Sequence, residues 1–272
     1  MNRIHKYPRT QHILGSNFQN GDYDLAAIPF SHLLGKHLVI EEKCDGQNSA
    51  ISYDEDWSQL LQSRGHYLTG GPRERHFNWL KQWAAIHTED FLEVLQDRYI
   101  MYGEHMYCKH TVFYDALTHY FMEFDILDTQ VGTYIDSNGK ERPGSWLSTH
   151  RRRDLLNGLP ITPVLVLYEG KLSSVEQLAE MVTESHFKTP DCNRVLRAHA
   201  TSHGLDGDKI LCETDPSLLM EGLYIKVEED GVVKDRYKFV RDDFRTRILD
   251  SDSHWQSRPI VPNILAEGIE LY

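Results

Sequence analysis

The pair Asp230-Gly231 constrains this chain most. It separates two strand-like runs, Gly222 to Val227 and Val232 to Val240, and Asp-Gly in that setting signals a tight hairpin. The strands there are therefore antiparallel. Further runs read as strands: His37 to Lys43, Asn48 to Tyr53, Tyr99 to Tyr107, His119 to Leu127 and the short Pro163 to Tyr168. Asp45-Gly46 lies near the bend between the first two, and Gln62-Ser63-Arg64-Gly65 is a strand end entering a turn-rich loop. Apolar residues recur near helical spacing from Arg73 to about Asp97, in Phe77, Leu80, Trp83, Ala84, Phe91, Val94 and Leu95. Ser148 or Thr149 caps a helix through Leu156, Ser173-x-x-Glu176 resembles a capping box opening a helix to about Thr183, and Asp191 to His203 reads as helix. Gly132 to Ser145 reads as a polar hairpin loop. No regular βαβ alternation appears, so the class is α+β, mostly antiparallel sheets with flanking helices.

Composition narrows the function classes. The 272 residues, 40% hydrophobic and 26% charged, suit a soluble globular chain of one large or two small domains. No apolar run reaches the roughly 18 residues of a membrane-spanning helix, and Met1 to Pro8 has no signal-peptide character. Cys44, Cys108, Cys192 and Cys212 are scattered, which predicts reduced thiols in a cytoplasmic protein and no structural zinc. A net charge of −12 argues against a generic nucleic-acid coat protein. It leaves room for a local basic groove at Arg151-Arg152-Arg153 or along Lys234 to Arg247, which read equally well as solvated faces.

Five short segments carry polar groups on or beside these strands. The first is Glu41-Glu42-Lys43-Cys44-Asp45-Gly46. A lysine of pKa about 10.4 pays about 4 kcal/mol to become a neutral nucleophile near neutral pH. The flanking carboxylates raise that cost, and strand alternation turns Glu42 to the face opposite Lys43. A surface ion pair with Glu41 or Asp45 is the alternative reading of Lys43. The second is Ser63-Arg64-Gly65, where a forked guanidinium suits a phosphate or a ribose hydroxyl, or a surface salt bridge. In Tyr102-Gly103-Glu104-His105 the carboxylate at an apolar strand end needs a partner: ribose, metal or lysine. In Glu123-Phe124-Asp125 the ring is either a base-stacking platform or ordinary core. Last, Glu221-Gly222-Leu223-Tyr224-Ile225-Lys226 precedes the hairpin and Arg236-Tyr237-Lys238 follows it. Glu221 has oxygen ligands for Mg²⁺ or Mn²⁺. Arg236 and Lys238, two apart on a strand, face the same way and can hold a phosphate.

In this order the five segments resemble the covalent nucleotidyltransferase superfamily of ATP-dependent RNA and DNA ligases and mRNA capping enzymes. The resemblance is closest to the RNA ligase 2-like branch, and it spans Leu38 to Arg241. It implies the nucleotidyltransferase (ATP-grasp-like ligase) fold and an ATP-dependent RNA ligase joining 5′-phosphate and 3′-hydroxyl RNA ends. Lys43 would become lysyl-AMP, with Glu42 reading the adenine amino group, Glu104 on the ribose and Phe124 stacked on the base. Arg64 would touch AMP and the RNA end, Asn48 would bind RNA, and Lys226, Arg236 and Lys238 would hold the nucleotide; Lys109, beside the third segment, is a further candidate for contact with RNA phosphate. Glu221, with Glu104, would hold Mg²⁺ or Mn²⁺. Relatives often carry lysine at the position of Arg236. Only about 31 residues follow Arg241, so the expectation is one adenylyltransferase domain over 1–272, with 242–272 a short extension in place of the OB or helical domain of relatives. A separate end-healing kinase or phosphatase is an expected partner. A DNA ligase, a GTP-using guanylyltransferase and a non-catalytic RNA-binding module are the rival readings. His66, His105 and His110 lie in or beside these segments without an assigned role.

Overall fold

The computed structural model describes residues 4–17, 27–136, 139–244 and 259–271. Two mainly antiparallel sheets face one another. One has five strands in the order β1-β11-β10-β2-β9: β1 (Gln11–His12), β2 (Leu38–Glu42), β9 (Val166–Gly170), β10 (Gly222–Glu229) and β11 (Val232–Val240). The other runs β4-β3-β5-β6-β7, made of β3 (Gln47–Tyr53), β4 (Gln59–Ser63), β5 (Tyr99–His105), β6 (Phe121–Ile135) and β7 (Glu141–Trp146), with the short β8 (Thr162–Pro163) parallel to β6. The hairpin at Asp230-Gly231 is present: both residues have positive φ, 52° and 74°, as a two-residue turn between twisted strands requires.

The chain passes between sheets where the sequence shows only a bend. β2 belongs to the first sheet and β3 to the second, so Lys43, Cys44, Asp45 and Gly46 form the crossing. Pro163 to Tyr168 likewise divides into β8 on one sheet and β9 on the other. The expected hairpin loop from Gly132 begins later, because β6 runs on to Ile135 and pairs with β7.

Helices cover the outer faces. The expected helix from Arg73 resolves into a 3₁₀ turn (Pro72–Phe77), α1 (Asn78–Ile86) and α2 (Thr88–Leu95). Leu80, Trp83, Ala84, Phe91 and Leu95 bury against Ile51, Met101, Phe121 and Ile126 of the second sheet. Ser148 caps α3 (Thr149–Leu155). The capping box of α4 (Val175–Met181) is Ser174 with Gln177, one residue later than Ser173 and Glu176 predict. α4 shields the first sheet's outer face, where Leu178 meets Leu38, Ile40 and Leu223. α5 (Cys192–Ser202) and α6 (Gly207–Cys212) pack on Phe113 and Val261. Between the sheets lie Ala50, Tyr102, Met122, Phe124, Trp146, Val233 and Val240.

Within the 242–272 segment, 245–258 lie outside the described residues, Arg245 and Arg247 among them. Residues 259–271 pack back: Asn263 Oδ1 accepts the Tyr114 N–H at 3.0 Å and its Nδ2 donates to the Met106 carbonyl at 2.7 Å. No helix among the described residues is long and apolar enough to cross a membrane.

Candidate active site

The crossing at Lys43 opens into a cavity of about 620 Å³. Its wall includes Glu42, Lys43, Asn48, Arg64, Glu104, Phe124 and Lys238, drawn from both sheets. Sheet register explains the gathering. β2 and β10 pair with Leu223 opposite Glu42, and the Lys43 N–H donates to the Gly222 carbonyl at 3.0 Å. Glu221 therefore lies beside Lys43, and its Oε2 accepts from Lys43 Nζ at 2.7 Å. β3 and β5 pair Asn48 with Glu104. The register of β5 on β6 slips between Tyr102 and Gly103, which leaves Phe124 opposite no residue. A bulge of this kind re-aims a side chain, and Phe124 lines the cavity.

The crossing itself is held tightly. Asp45 Oδ2 accepts the N–H groups of Thr111 and Val112 at 2.7 and 2.8 Å, and the Asp45 N–H donates to the Tyr114 hydroxyl at 2.8 Å. The Gly46 N–H donates to Glu104 Oε1 at 3.0 Å. A Cβ at position 46 would lie 2.7 Å from both the His105 carbonyl oxygen and Met106 Sδ, so only glycine passes there without displacement.

Burial pulls the Lys43 ammonium toward losing its proton, but Glu221, Asp45 and Glu104 outweigh it and hold the pKa above the ordinary lysine value. The sequence-based concern about neighbouring carboxylates is thus met in the fold, with Glu221 the main source. Burial pushes Glu104 up to about 8, against the pull of Lys43 and the Gly46 N–H. Asn48 Oδ1 is buried without a hydrogen-bond partner. Arg64 is exposed at the cavity wall, beside Ser63, whose Oγ lies 2.9 Å from His66 Nδ1.

Several predicted residues stand elsewhere. Arg236 and Lys238 do share a face of β11 with Lys226 and Tyr224 of β10, but only Lys238 and Tyr224 line the cavity. Arg236 Nε donates to Asp125 Oδ2 at 2.7 Å and stacks 4.2 Å from the Trp146 ring centre. Lys226 is fully buried, 2.9 Å from Glu41 Oε1, and donates to the Phe124 carbonyl. These two cations lie in an ionic cluster beside the cavity because each meets a buried carboxylate before any ligand. Lys109 folds onto backbone, its Nζ 2.9 Å from the His110 carbonyl, and is not among the cavity-lining residues. Of the unassigned histidines, His66 and His110 line the cavity, while His105 is buried and stacked on Phe77.

Sequence reasoning also missed Arg152. Arg151 and Arg153 are exposed as a solvated helix face should be, whereas Arg152 is buried. Its Nη1 contacts both Glu123 oxygens at 2.6 and 2.7 Å and its Nη2 contacts Glu41 Oε1 at 3.1 Å. With Lys226, Arg236 and Asp125 it completes the cluster, in which burial opposes ionisation of Asp125 but Arg236, Lys226 and Arg152 hold its pKa at about 2.

The donor set also bears on a divalent cation. Among the described residues no three His, Cys, Asp or Glu side chains gather as a metal site. The buried Glu221 and the half-buried Glu104 flank one ammonium. Such a pair fits Mg²⁺ or Mn²⁺ arriving with phosphate oxygens and waters, as small hard cations do, rather than a cage preformed by protein.

The RNA ligase family pattern matches residues 36–240, from just before β2 to the end of β11. The chain belongs to the RNA ligase family. In structure it is similar to an archaeal ATP-dependent RNA ligase, with 15% identity over 88% of this chain and 48% of that one and a TM-score of 0.47. It is similar also to a mutant Naegleria gruberi RNA ligase, with 19% identity over 88% of this chain and 56% of that one and a TM-score of 0.48. The chain thus spans about half the length of these two ligases. No curated protein sequence matches it.

Proposed function

We propose that this chain is an ATP-dependent RNA ligase, a single adenylyltransferase domain over 1–272 with 242–272 as a short extension, and that Lys43 is its nucleophile. The observation that carries the reading is the cavity itself. One half-buried lysine, drawn against Glu221, shares it with acceptors, an aromatic ring and cations suited to a nucleotide and an RNA end.

In the first step the neutral Lys43 amine attacks the α-phosphorus of ATP. An N–P bond forms, the bond to the β-bridging oxygen breaks and pyrophosphate leaves. Lys43 must first shed a proton, and Glu221 at 2.7 Å is the acceptor in contact. Phe124 stacks on adenine, Glu42 accepts its amino hydrogen and Glu104 faces the ribose. Lys238 neutralises charge on the α-phosphate oxygens. In the second step an oxygen of the RNA 5′-phosphate attacks the same phosphorus, and Lys43 leaves and regains its proton. In the third the 3′-hydroxyl attacks the activated 5′-phosphate, a phosphodiester forms and AMP departs. Arg64 and the unpartnered Asn48 Oδ1 are the groups available to the RNA. Glu221 and Glu104 would hold Mg²⁺ or Mn²⁺. When bound, the cation supplies charge neutralisation at the phosphates. The scattered cysteines support a cytoplasmic setting, and RNA ends bearing other groups would need a separate kinase or phosphatase.

Intact-mass analysis after incubation with ATP and Mg²⁺ tests the reading. The expected result is an increment of one AMP that is absent in Lys43→Ala. Labelling of Lys43→Ala, or none of the unaltered protein with ATP under Mg²⁺ or Mn²⁺, would overturn it.

A further inference from the structure

Glu42 precedes Lys43, yet among the described residues the hydrogen bonds that fix its carboxylate come from one distant turn. Ser185 Oγ donates to Glu42 Oε1 at 2.5 Å, and Oε2 accepts both the His186 N–H at 3.2 Å and His186 Nδ1 at 3.0 Å. Glu42 is buried and lines the cavity. We propose that Ser185 and His186 set the base selectivity of this cavity by holding Glu42 with one acceptor direction open to a purine 6-amino group. The inference rests on the reading of the cavity as an ATP site.

An ionised carboxylate offers about four acceptor positions. The turn occupies three, so the fourth, on Oε1, is what a base would meet. A 6-amino group donates to it. A 6-keto oxygen would set acceptor against acceptor and leave two polar groups unpaired in a buried place.

The turn is built to keep this orientation. The Ser185 hydroxyl accepts the Phe187 N–H at 3.2 Å, so its single proton is left for Glu42. The Ser185 N–H donates to the Leu218 carbonyl at 2.9 Å, the Met220 N–H to Thr183 at 3.0 Å and the Ala116 N–H to Phe187 at 3.1 Å. The Lys188 ammonium donates to the Ser217 carbonyl. The segment is thus anchored on both sides of Ser185 and His186. The His186 side chain is itself 49% exposed and carries no core packing, so its removal reports on Glu42 rather than on folding. His186 is a positioning residue, acting through Glu42 without touching the reacting atoms.

The test compares AMP-type labelling of Lys43 with three donors: ATP, purine riboside triphosphate, which lacks the 6-amino group, and GTP. The unaltered protein should favour ATP over the other two in kcat/KM, by tenfold or more for each roughly 1.4 kcal/mol of discrimination. In His186→Ala the KM for ATP should rise and the ratio of ATP to purine riboside triphosphate should fall toward one. His186→Asn, whose amide can donate near the Nδ1 position, should restore the ratio. Ser185→Ala should act in the same direction. A merely structural role would lower all donors together and leave the ratios unchanged, and that result would overturn the inference while labelling by the unaltered protein still stands. Absence of labelling with every donor would overturn the ATP-site reading, and this inference with it.

Discussion

Arg152→Met should be among the most destabilising single changes in this protein. The guanidinium reaches both oxygens of Glu123 and one of Glu41, and all three side chains are buried. Glu41 keeps Lys226 at 2.9 Å after the change. Among the described residues, Glu123 loses both of its side-chain hydrogen bonds to a cation and keeps only the longer-range pull of Lys226. Removing one partner of a buried pair costs about 3–5 kcal/mol, because the other charge stays buried. Methionine replaces most of the aliphatic volume, so little of that loss is packing. Against a total stability of about 5–15 kcal/mol for an ordinary domain, the variant should unfold at a clearly lower urea midpoint with an unchanged slope. The double change Glu123→Leu with Arg152→Met should recover most of the loss, since apolar replacement of a whole buried pair is often neutral. The pH dependence has a definite sign. Burial raises the Glu123 pKa and Arg152 pulls it back, so without Arg152 the folded-state value climbs further above the unfolded one. A carboxyl with a raised pKa favours the fold below its unfolded pKa and loses that contribution as pH rises. The penalty of Arg152→Met should therefore be larger at pH 7.5 than at pH 4.5. A single variant within about 1 kcal/mol of the parent, or a double variant no better than the single, would refute the account of a charge left stranded.

Two further outcomes follow from the same structure. Gly46→Ala puts a Cβ 2.7 Å from the His105 carbonyl, and such overpacking costs about 1–3 kcal/mol, so the melting temperature and the labelling of Lys43 should fall together; an unshifted melting curve would count against the tight crossing. Burial holds His110 neutral in the fold, with its pKa lowered to about 4, and burial lowers that of His119 as well. The unfolded chain binds their protons first as pH falls below about 6.5, which removes up to about 2 kcal/mol for His110 between pH 7 and pH 5, while the raised Glu104 carboxyl acts in the opposite sense; His110→Gln should therefore lose less urea stability over that window than the parent, and an equal loss would contradict it. Asp125, held at about 2, loses its contribution only at lower pH, below the unfolded carboxyl range of about 4.

What the sequence discloses is local. Asp230-Gly231 shows its turn because positive φ is a property of two residues, and the period of Leu80, Trp83 and Ala84 shows a helix face before any partner is known. The partner is what stays hidden. Lys43 and Glu221 meet only through the β2–β10 register, which no short window contains. Strand alternation places Arg236 and Lys238 on one face but does not say that Asp125 waits opposite the first. Arg151, Arg152 and Arg153 are chemically alike, and only the seating of α3 over Glu123 makes the middle one a buried ion. Alternation sends Glu42 and Lys43 apart, and their contacts do diverge, to His186 and to Glu221. Both still line the cavity because β2 ends at Glu42. Ser185 and His186 belong to no motif, and short polar residues in a turn carry no signal of the carboxylate they will meet.

In the proposed first step, the fate of Arg236 alters how Lys43 would be activated. Two cations on one face of β11 would both favour a neutral amine at Lys43 and a developing negative charge on phosphate. Asp125 cancels one of them at 2.7 Å, and the guanidinium is further fixed between Trp146 and Tyr7. That leaves Lys238 as the β11 cation on the cavity wall. The two alanine variants should then separate by readout. Lys238→Ala should slow Lys43 labelling by about 10²–10³-fold, the scale for losing one transition-state contact, with a modest change in urea midpoint. Arg236→Ala should appear first as lost stability, toward the lower end of the about 3–5 kcal/mol for breaking a buried pair, because Asp125 keeps the Tyr7 hydroxyl and Lys226 at 3.9 Å. Measured under conditions where it is fully folded, it should label faster than Lys238→Ala. Equal labelling defects in two fully folded variants would mean that Arg236 leaves Asp125 when nucleotide binds, and that the positive field at Lys43 is shared after all.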